Sequence, residues 1–174
     1  MQFQLEKVIP ILERTPMVLK NLLEGLDTNW VHQNEGQDTW SPYDIIGHLI
    51  HGEKTDWVPR IKHILDSSRT DAFEPFDRFA QFENSKGKTI DMLLEEFSTL
   101  RAKNVQTLKA LAITSEDLMK EGLHPDLGTA TLKNLIATWV AHDLGHIHQI
   151  TRVMAKGLQN DIGPWEAYLK VMHV

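Results

Sequence analysis

Apolar residues recur every three to four positions along most of this chain, and this spacing limits its fold more than any other feature. The clearest case is the segment 89–112, where the apolar positions fit one face of a single helix: Ile90, Leu93, Leu94, Phe97, Leu100, Val105, Leu108 and Leu111. No segment alternates convincingly between apolar and polar residues over the length of a strand. The pattern therefore predicts an all-α protein.

Four long helical segments follow from this pattern, together with a short helix near the C-terminus that begins at Pro164. The long segments cover residues 2–27, about 42–67, 89–112, and from Thr129 or Thr131 to Lys156. A chain of 174 residues is an ordinary size for one domain. We therefore expect a single up-down four-helix bundle over residues 1–174, with one short additional helix.

Prolines are expected to disturb two of these helices. Thr15-Pro16 has the form of an N-cap followed by a first-turn proline, so the first segment should be kinked or divided. Pro59 should kink or fray the second segment. The connection 69–88 is long, charged and aromatic, and loops of this length often carry function.

Composition excludes several classes of protein. The chain has no cysteine, so a disulfide framework, a thiolate nucleophile and cysteine-bound zinc are excluded. The net charge of −6 argues against nucleic-acid binding, and the apolar runs are too short to span a membrane. The N-terminus lacks the pattern of a secretory signal. We expect a cytoplasmic protein that acts on a small molecule and binds neither nucleic acid nor membranes.

The stretch WVAHDLGHIHQI, residues 139–150, holds three histidines among mostly apolar positions. His142 and His146 lie four residues apart on the same side of the predicted helix, whereas His148 points to the opposite face. Such a pair can give two ligands to one metal ion. The alternative is a pair of buried structural histidines, each of which would need a hydrogen-bond partner.

Asp143 falls near the centre of the apolar stripe of the same helix. A carboxylate at such a position must be paired or hydrogen-bonded. It could orient a metal-binding histidine, or it could bind a tryptophan indole or a loop backbone. The zinc-protease pattern H-E-x-x-H is a poor match for "HDLGH", because aspartate is shorter than glutamate and no good ligand follows downstream.

A catalytic metal site normally needs a third protein ligand. The sequence offers His48, His51, Glu53 and His124 for this role. On the predicted helix His48 faces the side of Gly52, which leaves room above it, while His51 points away. The spacing favours His48 without excluding the others.

Taken together, several segments resemble the DinB-like (DinB/YfiT-like) superfamily of metalloenzymes. The resemblance covers nearly the whole chain and is carried by segments that include "WSPYDIIGHLIHGEKTDWVPRIKHIL" and "HPDLGTATLKNLIATWVAHDLGHIHQITRVMA". It implies a four-helix bundle and a three-histidine site made of His48, His142 and His146. Zinc or nickel is the metal it implies, and a homodimer the assembly.

The resemblance also suggests the chemistry. Characterised members include transferases and isomerases that use a low-molecular-weight thiol, and a bound metal can hold such a thiol as a thiolate. We therefore expect a metal-dependent transferase that moves a small thiol onto a small electrophile. The alternatives are a metal-dependent hydrolase and a non-catalytic metal-binding bundle. Asp143 and Glu53 are the candidate catalytic residues, and Gly52 and Trp57 the candidates for the pocket that binds the cofactor.

Overall fold

A computed structural model describes residues 2–173 of the protein. Its α-helices and strands are α1 (Leu5–Leu23), α2 (Thr28–His32), α3 (Pro42–Thr55), α4 (Trp57–Leu65), α5 (Gln81–Asn84), α6 (Ile90–Ala110), β1 (Glu121–His124), β2 (Gly128–Thr131), α7 (Leu132–Lys156) and α8 (Gln159–Ile162). Short 3-10 helices lie at Asp117–Met119, Gly163–Tyr168 and Lys170–Met172. Within the described residues, no helix combines the length and apolarity that a membrane crossing requires.

Four long helical units form a bundle: α1, the consecutive pair α3 and α4, α6, and α7. Helix α1 packs against α6 and α7, and α3 packs against the same two helices. Helices α1 and α3 therefore lie diagonally across the bundle, although their helical units follow each other in the chain. The predicted four-helix bundle and its short helical C-terminal segment are confirmed.

Side-chain caps fix the starts of the two helices that carry the histidines. Ser41 accepts a hydrogen bond from the backbone of Asp44, whose carboxylate accepts one from the backbone of Ser41. Thr131 and Asn134 form the same reciprocal arrangement at the start of α7. The start of α7 is thus set by Thr131 and not by Thr129.

The first helix runs unbroken through both of its prolines. Thr15 does not cap a second helix there, because its hydroxyl donates to the carbonyl of Ile11 one turn earlier. The prediction of an N-cap at Thr15 is therefore wrong.

The second long segment does break, and Pro59 explains where. Helix α3 ends at Thr55 and α4 begins at Trp57, with Asp56 between them in a distorted conformation. Pro59 has no N–H to donate to the carbonyl of Thr55, and its ring crowds that carbonyl. The predicted kink is confirmed, and it lies at Asp56, three residues before the proline itself.

A two-stranded antiparallel hairpin, β1 and β2, interrupts the helical pattern before α7, so the prediction of no strands is wrong here. Glu121 lies opposite Thr131 and His124 opposite Gly128. Each strand has only four residues, which is too short for an alternating pattern to stand out. The carbonyl of Leu123 accepts a hydrogen bond from the backbone of Phe73, so the hairpin also anchors the long loop between α4 and α6.

A buried polar layer divides the core into two apolar halves. One half contains Leu12, Trp57 and Trp139, and the other contains Leu19 and Phe97. Between them, each of the four long helical units contributes at least one buried polar side chain, and these include Thr15, Glu53, Arg101 and Asp143. The histidines of the predicted metal site lie beside this layer, since His142 directly precedes Asp143 in the chain.

Candidate metal centre

Three histidine side chains from two helices meet beside the polar layer. The Nε2 atom of His142 lies 3.1 Å from Nε2 of His48 and 3.0 Å from Nε2 of His146. His48 comes from α3, and the other two come from successive turns of α7. The three side chains can each direct one nitrogen to a common point, with these atoms all within 4.8 Å of one another. The structure thus brings together the three residues predicted as metal ligands.

The surroundings keep these imidazoles neutral. Burial, and after it the nearby His146, lowers the pKa of His48 and of His142 to about 3. Burial also lowers the pKa of His146, although Gln149 and Asp143 act in the opposite direction. Neutral imidazole is the form that binds a metal ion, so the site needs no deprotonation at neutral pH.

Gln149 fixes the orientation of one of the rings. Nδ1 of His146 donates to the side-chain oxygen of Gln149 at 2.9 Å. Nε2 of His146 is therefore unprotonated, and its lone pair is directed toward the other two histidines. Nδ1 of His48 and of His142 is buried and has no hydrogen-bond partner within residues 2–173. Those two rings are held by packing, and not by polar contacts.

This donor set fits a divalent ion of the zinc type. Two nitrogens bound to tetrahedral zinc at about 2.0–2.1 Å lie about 3.3 Å apart, which is close to the observed separations of 3.0 and 3.1 Å. A cation between the three nitrogens would give each lone pair a partner. Three protein ligands leave a further coordination position for water or substrate.

Aromatic rings enclose the histidines. The ring of His48 lies 4.9 Å from that of Trp40 and 5.4 Å from that of Phe76, measured between centroids. Trp57 contacts His142 edge-to-face at 5.1 Å. Because Phe76 belongs to the long loop 69–88, this loop reaches over the site. The loop is tied down at its end by the hydroxyl of Tyr43, which donates to the carbonyls of Ser85 and Lys88.

A cavity of about 530 Å³ opens beside the three histidines. Gly52 and Trp57, the predicted pocket residues, both line it. A side chain at position 52 would start 3.2 Å from the indole nitrogen of Trp57, so the glycine makes space for this ring. Trp57 in turn stacks on Trp139, with the ring planes 9° apart. The two predicted residues thus shape one wall together.

The predicted catalytic carboxylates, Glu53 and Asp143, both bind Arg101 in the polar layer. Arg101 is 1% exposed and uses all of its donors: it contacts Glu53 at 2.8 Å, both oxygens of Asp143 at 2.5 and 2.9 Å, and the carbonyl of Leu12 at 3.0 Å. Asp143 is thus paired, as its position in the apolar stripe required. Its partner is an arginine, and not one of the partners expected from the sequence, which were a histidine, a tryptophan indole and a loop backbone.

Glu53 has two further partners on its carboxylate. Asn104 donates to one oxygen at 2.9 Å and the indole of Trp139 donates to the other at 3.2 Å. Burial raises the pKa of the Glu53 carboxyl, while the charge and hydrogen bonds of Arg101 act against this effect. With these partners, neither Glu53 nor Asp143 belongs to the histidine cluster. Arg101 instead joins the two helices that carry the ligands.

The remaining candidate ligands lie elsewhere. His51 packs on Phe76 and is not part of the cluster, and His148 is exposed as predicted. His124 lines the cavity, but its Nδ1 accepts hydrogen bonds from the backbone of Asp126 and Leu127 within the hairpin turn. Of the four candidates for the third ligand, only His48 meets the α7 pair.

Sequence reasoning missed Arg101 and the cavity residues of the long loop. A signal for Arg101 was available, because it lies one turn after Phe97 and one turn before Val105 in the apolar stripe of α6. Charged residues inside the stripes of three helices must pair with each other in the core. No comparable signal marked Phe76 or Arg78, since a loop has no periodicity to interpret.

Comparison with known proteins identifies similar chains. The model of the DinB superfamily matches residues 11–150. A protein of Bacillus subtilis (strain 168) named "Putative metal-dependent hydrolase YfiT" is 28% identical over 156 residues, which are 86% of this chain and 84% of that protein.

A solved structure agrees with this result. YfiT from Bacillus subtilis, described as a probable metal-dependent hydrolase with an unusual four-helix bundle topology, matches with a TM-score of 0.75 at 25% identity. The match covers 89% of this chain and 90% of that chain.

Proposed function

Because this chain belongs to the DinB superfamily, we propose that it is a metal-dependent hydrolase that acts on a small molecule at the three-histidine site. The observation that carries the proposal is the convergence of His48, His142 and His146 in the wall of one cavity. The description of its relative YfiT as a metal-dependent hydrolase supports the same class of reaction. Thiol transfer, the first expectation from the sequence, receives no such support.

Zinc is the ion we propose for the site, with nickel as the alternative. Three imidazoles suit either ion, and the chain has no cysteine that would select a softer metal. When bound, such an ion would act as a Lewis acid, which lowers the pKa of a bound water and polarises a substrate carbonyl or phosphoryl group. The three histidines would hold it, and Gln149 would keep His146 oriented.

The cavity wall supplies the other groups that a hydrolase needs. His124 accepts two backbone N–H groups on Nδ1, so its proton sits on Nε2, and this neutral imidazole can donate a hydrogen bond to the substrate. Trp40, Phe76 and Trp57 would exclude water and contact the apolar part of the substrate. We assign Glu53 and Asp143 to positioning, because Arg101 already occupies both carboxylates.

The test is hydrolysis of a panel of small esters, amides and phosphate esters by zinc-loaded and nickel-loaded protein, with and without added thiol. We expect turnover without thiol, loss of turnover in His146→Ala, and unchanged turnover in His148→Ala, a matched variant on the exposed face of the same helix. Turnover only in the presence of thiol would indicate the transferase instead. Metal binding without turnover of any substrate would favour the non-catalytic bundle.

A further inference from the structure

Two arginines line the cavity beside the histidines, and their surroundings differ. Arg60 is buried and its charge is compensated, because its Nε lies 2.6 Å from the Asp56 carboxylate and its Nη2 donates to the carbonyl of Glu74. Arg78 is exposed, and within residues 2–173 no carboxylate lies within 4.0 Å of its guanidinium. The cavity is therefore lined by one arginine whose charge no carboxylate of the described residues pairs with.

The guanidinium of Arg78 lies over two aromatic rings. Its central carbon lies 5.9 Å from the ring centroid of Trp40 and 5.7 Å from that of Phe79. Contacts of this kind use the flat faces of the group and leave the N–H donors at its edge available. A planar arginine with available donors matches a carboxylate, which it can bind through two parallel hydrogen bonds.

Arg78 is also well placed with respect to the histidines. The ring of Trp40 contacts both the guanidinium of Arg78 and the ring of His48, so the cation and a metal ligand share an aromatic neighbour. Trp40, Arg78 and His146 all line a second cavity of about 600 Å³ as well as the first. The cation thus stands where the two cavities meet next to the metal site.

We infer that Arg78 binds a carboxylate of the substrate, so that this protein acts on a small carboxylic acid with an apolar body. The single charge of Arg78 suits a single negative charge, and the tryptophan and phenylalanine rings suit the apolar part. The group to be cleaved would then lie at the histidines while the carboxylate lies at Arg78. This inference rests on the proposed function, because it concerns the substrate of the same site.

Binding of two matched probes to the zinc-loaded protein tests it. One probe is the monohydroxamate of suberic acid, whose hydroxamate binds metal and whose far end is a carboxylate. The other is the same molecule with a primary amide in place of the carboxylate. Fluorescence of Trp40 and Trp57, which line the cavity, reports binding without any turnover.

We expect the carboxylate probe to bind about tenfold more tightly than the amide probe. Arg78→Gln should bring this ratio close to one, and Arg78→Lys should leave an intermediate ratio, because lysine keeps the charge but not the planar fork. Arg69→Gln is the matched control: Arg69 belongs to the same loop, pairs with Asp71 and lies outside this cavity, so the ratio should stay as in the parent.

Each outcome bears on a separate statement. Equal affinity for the two probes in the parent, or an unchanged ratio in Arg78→Gln, would overturn the role of Arg78 and leave the metal site intact. Failure of both probes to bind the zinc-loaded protein would show that the cavity admits no ligand at the metal, and would overturn the proposed function together with the role of Arg78.

Discussion

Nε2 of His48 lies 3.1 Å from Nε2 of His142, although the two residues are 94 positions apart in the chain. Arg101 stabilises the contact between these two helices, because it binds Glu53 on the helix of His48 and Asp143 on the helix of His142. The buried ion pairs therefore set the relative position of the two helices, and the three histidines of the metal site depend on this position.

Removal of Arg101 should destabilise the protein strongly. Arg101→Met leaves Glu53 and Asp143 buried without a counter-charge, which should lower the free energy of unfolding by about 3–5 kcal/mol. Lys109→Met breaks an exposed ion pair with Glu13 and should cost less than about 1 kcal/mol. Urea unfolding of the metal-free proteins gives both values. Equal costs for the two variants would contradict the importance of the buried network.

The metal-free protein should lose stability as the pH falls below about 6.5. The pKa of His48 and His142 is about 3 in the folded protein and about 6.5 in the unfolded chain, so between these values the unfolded chain binds more protons. Stability therefore rises with pH across this window and is fully present above it. Each histidine contributes a slope of up to about 1.4 kcal/mol per pH unit.

Unfolding by urea at pH 7, 6 and 5, in the presence of a chelator, measures this slope. His48→Gln should flatten it, because glutamine does not titrate, while His148→Gln on the exposed face should leave it unchanged. A parent whose stability is the same at pH 7 and pH 5 would show that these histidines are not held neutral by burial.

Two glycines in the ligand-bearing helices should respond to alanine in opposite ways. Gly145 lies in α7 with nothing within 4 Å of an added Cβ, so Gly145→Ala should stabilise the protein by about 0.5–1 kcal/mol. At Gly47 an added Cβ would meet the Ser85 hydroxyl and lie 3.0 Å from Cβ of Gln81, so Gly47→Ala should cost about 1–3 kcal/mol. Thermal unfolding distinguishes these results, and a shift of the same sign in both variants would contradict the packing of α3 against α5.

Gln149 should strengthen metal binding through His146. Gln149→Ala removes the acceptor for Nδ1 of His146 and should weaken zinc affinity by about 10–100-fold without loss of helix content. Competition with a fluorescent zinc chelator gives the affinity, and circular dichroism gives the helix content. Thr151→Ala, a nearby change in α7 that touches none of the three histidines, serves as the control. Unaltered affinity in Gln149→Ala would mean that packing alone orients His146.

The helices were predictable because their signals are local. The apolar spacing of residues 89–112 identified α6, and the start of α7 was predicted at Thr129 or Thr131, of which Thr131 is the cap. The pairing of helices was not predictable in this way. Periodicity shows which face of a helix is buried but not against which partner, so the diagonal position of α1 and α3 was found only in the structure.

In the candidate site too, local features were predictable and tertiary contacts were not. The four-residue spacing of His142 and His146 places both side chains on one face of a single helix, so this pair was predictable. The contact with His48 depends on tertiary packing, and the family resemblance supplied that residue. The position of Asp143 in the apolar stripe indicated that it has a buried partner, but it did not identify Arg101 as that partner. The residues of the long loop over the site, Phe76 and Arg78, lay outside any periodic pattern.

Metal content is the measurement that tests the central claim most directly. Elemental analysis of untagged protein, purified without a metal-affinity column, should give about one equivalent of zinc or nickel per chain. His48→Ala and His146→Ala should each lose this metal and keep their helix content, while His51→Ala and His148→Ala should retain it. A parent that carries no metal and takes up none on titration would contradict the account, and the three histidines would then be a structural cluster only.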